Sequence, residues 1–429
     1  MAAAEKESMR DTAGRSIRID DLAAPRLPRA LRAANALLAP VARRLFPLDP
    51  GSLTAAARRR ERAGDFGDAS FEEPLRVLCD ALAREADLSP VGRLLARELL
   101  LGLLATRLRL AALLREHPEI ERERVEAPLV VLGLPRTGTT HLHELLAQHP
   151  SLRSLPYWES LEPIPARAVR LGAQPDRRRR RCEQALRLQH WVMPLFPALH
   201  EMRADAPHEE IQLLAADFRT MLFDASAHVP SYGAWYRSQD QTSAYRFLQR
   251  VLQALQWLRG PKRWVLKSPQ HLGQLGPLLA VFPDARIVHT HRDPARVVAS
   301  MCTMLAYGLR MQSRRVDPLA VGRLWGERIA AMLDASLRDR ALVPAAQVLD
   351  LRFGDFMADE IGAALRVCEF AGLPAHDGVR RRFERYQAAH PRGRHGRVDY
   401  RLADFGLDAG AIRARLRAYA MQFGVDSED

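Results

Sequence analysis

The spacing of apolar side chains changes character once along the chain. From about residue 17 to Arg115, apolar positions recur every three or four residues, as in FEEPLRVLCDALARE and GRLLARELLLGLLATRLRLAALL. That spacing lays an apolar stripe along a helix. Beyond residue 125, short continuous apolar runs take over: APLVVLGL (127–134), KRWVLK (262–267), ARIVHTH (285–291) and AQVLDLRF (346–353). Each contains β-branched residues and precedes a helical pattern, which predicts parallel strands buried on both faces. The pattern gives an α/β domain over 125–429, with a central parallel sheet flanked by helices, and a helical N-terminal region (17–124) packed on it. Residues 1–16 are polar and expected to be disordered, and 160–258 reads as a mostly helical stretch between the first two of these strands. No internal repeat interrupts the scheme.

Composition narrows the picture. With 429 residues and 47% hydrophobic content, the chain can bury a large core. Its net charge of +13 comes almost wholly from arginine, lysine standing only at Lys6, Lys262 and Lys267. Such an excess reads as a solvated basic surface, and DRRRRR (176–181) as an exposed helix face, because no aromatic residues interleave with the basic ones to stack on bases. Nucleic acid is therefore not the expected partner. Cys79, Cys182, Cys302 and Cys368 lie far apart, with neither zinc spacing nor a disulfide framework, so a reducing, cytoplasmic setting is expected.

The start of the chain lacks the apolar core of a signal peptide, and Arg107 and Arg109 interrupt the run Leu99–Leu114, so no membrane span is predicted. Pro28–Phe46 is amphipathic and basic. Packing on the protein's own core is the commoner outcome for such a helix, and contact with a membrane surface is the alternative.

Candidate chemistry begins at VVLGLPRTGTTHL (130–142). Gly133, Gly138 and Thr140 have the spacing of a phosphate-binding loop, but Thr139 stands where a nucleoside triphosphatase carries lysine. The loop joins a predicted strand to a helix starting near Thr139, so first-turn amides converge on one point where an anion fits. Arg136 can add a bidentate fork. A plain structural turn would have the same glycines. Other strand ends carry matching groups, however. Lys267 ends the second strand, Arg292 follows the third, and Ser300 lies eight residues on, past Pro294 in a helical first turn. In an open parallel sheet these ends share the ligand-binding edge.

GLPRTGTTHL, KSPQH and HRDPARVVAS together resemble the three signature regions of the sulfotransferases that use 3′-phosphoadenosine 5′-phosphosulfate, particularly their bacterial branch. The similarity runs from about Pro128 to Val425 and implies the phosphate-loop-like sulfotransferase fold. It assigns the 5′-phosphosulfate to Arg136, Thr137, Gly138, Thr139 and Thr140, the 3′-phosphate to Arg292 and Ser300, and a closing loop to Arg392, Gly393 and Arg394. Many members carry lysine where Arg136 stands, and arginine keeps that charge but cannot donate its proton. The resemblance implies transfer without a metal, which accounts for the missing lysine: the donor has no γ-phosphate to be held beside magnesium.

The reaction so implied is an in-line displacement at sulfur by a hydroxyl or amine of a small-molecule, lipid or glycan acceptor. Lys267 suits the charge that develops on the bridging oxygen. Two residues are candidate bases: Glu159, in LPYWESLEP, which is preferred, and His271, in KSPQHL. His289 and His291 read as strand residues rather than metal ligands. Trp191, Phe196, Trp235 and Tyr236 are expected to wall the acceptor site. The rival readings are a small-molecule kinase or triphosphatase and, from another class, a basic nucleic-acid-binding protein in which the loop is only structural. Oligomeric state is not legible.

Overall fold

A computed structural model describes residues 16–166, 176–391 and 393–428. Five parallel strands make the central sheet: β1 (Leu129–Gly133), β2 (Leu152–Arg153), β3 (Arg263–Lys267), β4 (Arg286–His291) and β5 (Val348–Arg352). Their order is β2-β3-β1-β4-β5, which places the phosphate-loop strand β1 at the centre. The four apolar runs are thus β1, β3, β4 and β5. Only the two-residue edge strand β2, too short to show a pattern, lies outside them.

Burial alternates along β1 between the two faces of the sheet. Val130 and Leu132 join the larger apolar cluster, while Leu129 and Val131 join a second one with Leu142, Val265 and Phe356. Both faces are covered, so the strand is apolar at every position.

The N-terminal region consists of α1 (Arg29–Leu38), α2 (Ala42–Leu45), α3 (Pro50–Glu61), α4 (Glu72–Arg84) and the long α5 (Pro90–Glu116). Its Leu53, Leu78 and Leu104 lie in the same cluster as Val130 and Leu132. The arginines that interrupt the apolar run of α5 point inward to acidic partners. Arg107, 1% exposed, meets Asp68 at 2.9 Å and Asp217 at 3.4 Å, and Arg109 meets Glu61 at 2.7 Å. Helix starts follow a local rule: Asp49-Pro50, Ser89-Pro90, Asp293-Pro294 and Asp317-Pro318 each place a capping oxygen before a proline whose missing N–H costs nothing there.

One expectation needs correction and a second holds in part. Residues 1–15 lie outside the described set, but Ser16 opens a short strand with Ile17, parallel to Arg397–Val398. The amphipathic α1 packs on α5, with the partly buried Leu31 against the larger cluster, yet none of its residues is fully buried and Leu37 is 78% exposed. In the arginine run, which opens α6 (Arg177–Val192), Arg178 is buried on Asp176, while Arg179 and Arg181 pair with Asp205 and Glu162. No helix among the described residues is long and apolar enough to cross a membrane.

Candidate active site

Three strand ends meet above the sheet. The loop after β1 turns through Gly133 (φ 151°), Arg136 (φ 70°) and Gly138 (φ 85°) into α7 (Thr139–Leu146). A Cβ at Gly133 would lie 2.2 Å from Thr290 Oγ1, so the loop needs glycine there. Thr137 closes the loop from inside, its hydroxyl lying 2.6 Å from both the Leu134 carbonyl and the Thr290 hydroxyl. The amides of the first turn of α7 have no acceptor within the helix, and Gly138, Thr139 and Thr140 border a cavity.

The Arg136 side chain donates to Ser300 Oγ (3.0 Å), the Leu199 carbonyl (2.8 Å) and Tyr400 OH (3.3 Å). Arg292 donates to the Arg136 carbonyl at 2.7 Å and lies with its guanidinium 3.8 Å from the Phe353 ring centroid. Its remaining donors grip the carboxylate of Glu428 at 2.7–3.1 Å. Arg136 and Arg292 both border one cavity of about 740 Å³, and Lys267 touches two of its lining residues, Thr140 at 3.2 Å and Glu209 at 2.5 Å. The three cations therefore converge on one site. Gly393 (φ 68°) and Arg394 border an adjoining cavity with Arg136 and Thr140, where Arg394 pairs with Glu201. Arg392 lies outside the described residues.

Neither expected base reaches the cavity. Glu159, 1% exposed, has one oxygen on Arg153 (3.0 Å) and the other on Arg259, so its carboxylate is consumed inside the protein. His271 is fully buried between Tyr245 OH (2.6 Å) and the Glu210 carboxylate. The carboxylate that does face the cavity is Glu209, which sequence reasoning missed. A two-residue ribbon positions it: Leu155–Pro156 pairs antiparallel with Pro207–His208, and the backbone N–H of Lys267 donates to Glu210 at 2.9 Å. The visible signal was the acidic pair in PHEEIQ, but nothing local ties it to Lys267.

His200 and His208 line the same cavity. Burial and the neighbouring Lys267 charge push His200 down to about 3 and hold His208 well below the ordinary histidine range, so both rings are neutral near pH 7. Beyond them the cavity is apolar and flexible in lining: seven of the chain's eleven methionines border it, among them Met193, Met301, Met304 and Met311. Of the four aromatics expected there, only Phe196 is a wall. Leu95 of α5 closes the far side, so the N-terminal region contributes to the cavity.

Among the described residues one trio brings metal-ligand atoms within 4.8 Å of each other: His289, His291 and Asp350. Arg340 already holds the second oxygen of that carboxylate at 2.8 Å, which balances its charge without an ion.

Residues 128–377 match the model of a family described as the sulfotransferase family. An omega-hydroxy-beta-dihydromenaquinone-9 sulfotransferase of Mycobacterium bovis is 25% identical over 295 residues, covering 66% of this chain and 70% of the relative. The fold is similar to that of sulfotransferase STF9 from Mycobacterium avium, with a TM-score of 0.79 and 29% identity over 89% of this chain and 98% of that one. Sulfotransferase STF1 from Mycobacterium tuberculosis H37Rv gives a TM-score of 0.74 and 31% identity over 86% and 98%.

Proposed function

The chain belongs to the sulfotransferase family and is an enzyme that transfers a sulfo group, and from that premise we propose a donor, an acceptor class and a role for each residue of the site. The donor is 3′-phosphoadenosine 5′-phosphosulfate. Its 5′ end lies on the first-turn amides of α7 with the hydroxyls of Thr139 and Thr140 and the guanidinium of Arg136, and its 3′-phosphate lies on Arg292 and Ser300. Gly133 and Gly138 seat the loop closely on Thr290 and Phe356, where a Cβ would lie 2.2 Å and 3.1 Å from the nearest atom, which supports a fixed anion-binding turn. Thr137 serves by holding the loop, and Gly393 and Arg394 flank the donor. The reading needs no metal and agrees with a cytoplasmic setting, as the four buried free thiols do.

The acceptor is an alcohol with an extended apolar body. A methionine-lined cavity ending at a carboxylate and an ammonium suits such a molecule, and the hydroxylated menaquinone named for the mycobacterial relative is of that class. Glu209 takes the proton of the acceptor hydroxyl as its oxygen bonds to sulfur. The bond from sulfur to the bridging oxygen breaks, and adenosine 3′,5′-bisphosphate leaves with its new charge facing Lys267. Neutral His200 and His208 border the same space without adding charge.

The observation that carries this reading is the 2.5 Å pair of Lys267 and Glu209 where the phosphate loop opens into the apolar cavity. It is tested by incubating the protein with ³⁵S-labelled donor and a panel of prenyl and fatty alcohols beside phenols and sugars. Labelled lipid product is expected. Transfer to sugars alone would overturn the acceptor class, and no binding of adenosine 3′,5′-bisphosphate would overturn the donor.

A further inference from the structure

The segment α1–α2 has an apolar face that the described fold leaves bare. Leu37, Val41 and Leu45, four residues apart, are 78%, 41% and 54% exposed. Their neighbours Ala33 and Ala36 are exposed as well. Arg29, Arg32, Arg43 and Arg44 of the same segment are exposed too, and residues 22–48 include no aspartate or glutamate. The chain spends apolar residues on water here, within a stretch of one charge sign. The other side of the segment is anchored: Asn35 Oδ1 accepts from the Val91 amide at 3.0 Å, and Arg93 donates to the Phe46 carbonyl at 2.7 Å.

We propose that residues 29–45 form a docking surface for an anionic lipid bilayer. Leucine, valine and alanine side chains enter the boundary between headgroups and acyl chains, while the arginines extend to lipid phosphates with their stems along the apolar layer. A second copy of the chain is a poor occupant, since it would bring its own four arginines against these. Helix α5 connects this segment to the cavity. The first turns of α5 that seat α1 and α2 end at Leu95, a cavity wall, and Leu188, 50% exposed, borders the same cavity. Bilayer docking thus sets the cavity beside the phase in which a lipid alcohol resides; that consequence rests on the proposed acceptor class, whereas the docking itself does not.

The full chain is sedimented with phosphatidylcholine vesicles, with and without phosphatidylglycerol, in low and moderate salt. Binding to the phosphatidylglycerol vesicles is expected, at least about tenfold weaker for the triple variant Leu37→Ser/Val41→Ser/Leu45→Ser and for Arg32→Glu/Arg43→Glu. Both variants change exposed side chains, and circular dichroism and bisphosphonucleotide binding check the fold. Absence of binding to anionic vesicles overturns the proposal, as does binding that both variants retain. A dimer in solution that the serine variant disperses also overturns it and makes a second copy the occupant. Because vesicle binding is read without catalysis, it can fail while sulfo transfer stands, or the reverse.

Discussion

Glu209 Oε1 lies 2.5 Å from Lys267 Nζ, and the same ammonium lies 3.2 Å from the hydroxyl of Thr140 on the phosphate loop. One buried cation therefore touches both the start of α7 and the carboxylate that faces the methionine-lined cavity. In the proposed reaction, attack and departure are arranged around this single charge.

Glu209→Gln should lower turnover by about 10²–10⁴-fold, with affinity for adenosine 3′,5′-bisphosphate nearly unchanged, because the amide keeps the shape and loses the base. Glu159→Gln should behave in the opposite way. It leaves Arg153 and Arg259 without their full counter-charge, so thermal stability falls, by about 2–3 kcal/mol, while turnover of the folded fraction holds. Steady-state kinetics and thermal melts on both variants separate the two roles; a large loss of turnover in Glu159→Gln would return the base to that residue.

Lys267→Met should reduce turnover by about 10²–10³-fold. Lys267→Arg should rescue little, since a planar fork cannot replace a compact ammonium wedged between Thr140 and Glu209. Comparable activity in the methionine variant, measured with saturating donor, would remove the lysine from the chemistry.

Arg292→Ala and Glu428→Gln should move donor affinity in opposite directions. The carboxylate of Glu428 sits on the guanidinium assigned to the 3′-phosphate, so the nucleotide must displace it. Calorimetric titration with adenosine 3′,5′-bisphosphate should show weaker binding in the first variant and tighter binding, by a few-fold, in the second. Equal affinities in Glu428→Gln and the parent chain would mean that the phosphate lies elsewhere.

Acid should destabilise the fold before the carboxylates titrate. Burial, then the charge of Lys267, pushes His143 down to about 4, whereas in the unfolded chain it titrates near 6.5. Below 6.5 the unfolded state binds more protons, so this contribution is whole above that pH and is lost as pH falls toward 4, at up to about 1.4 kcal/mol per unit. Melting temperature measured from pH 7.5 to 5 should fall, and His143→Gln should flatten the slope. A profile unchanged by that variant would contradict the assignment.

The parts of the site that could be read from sequence are those fixed by local pattern. Short apolar runs announced β1, β3, β4 and β5, and Arg136, Lys267 and Arg292 stood at or just beyond their ends. The choice between Glu159 and Glu209 could not be made locally. Both follow short segments rich in rings, and what separates them is the meeting of Arg153 with Arg259 on the first, and a two-residue ribbon that brings the second to Lys267. Glu428 on Arg292 is a contact across 136 residues with no periodic trace. For α1 the amphipathic pattern was plain, but a pattern states only that a face is apolar, never what covers it.

Gly92, in the first turn of α5, rests so closely on the backbone of Gln312 that a Cβ there would lie 1.9 Å from its carbonyl oxygen, and the Ser89 amide donates to that same oxygen at 2.7 Å. The two ends of this seam, Leu95 and Met311, are walls of one chamber. Without the leading hundred residues the chamber would lose this side, so on the proposed function they would shape the choice of acceptor while the sheet carries the chemistry.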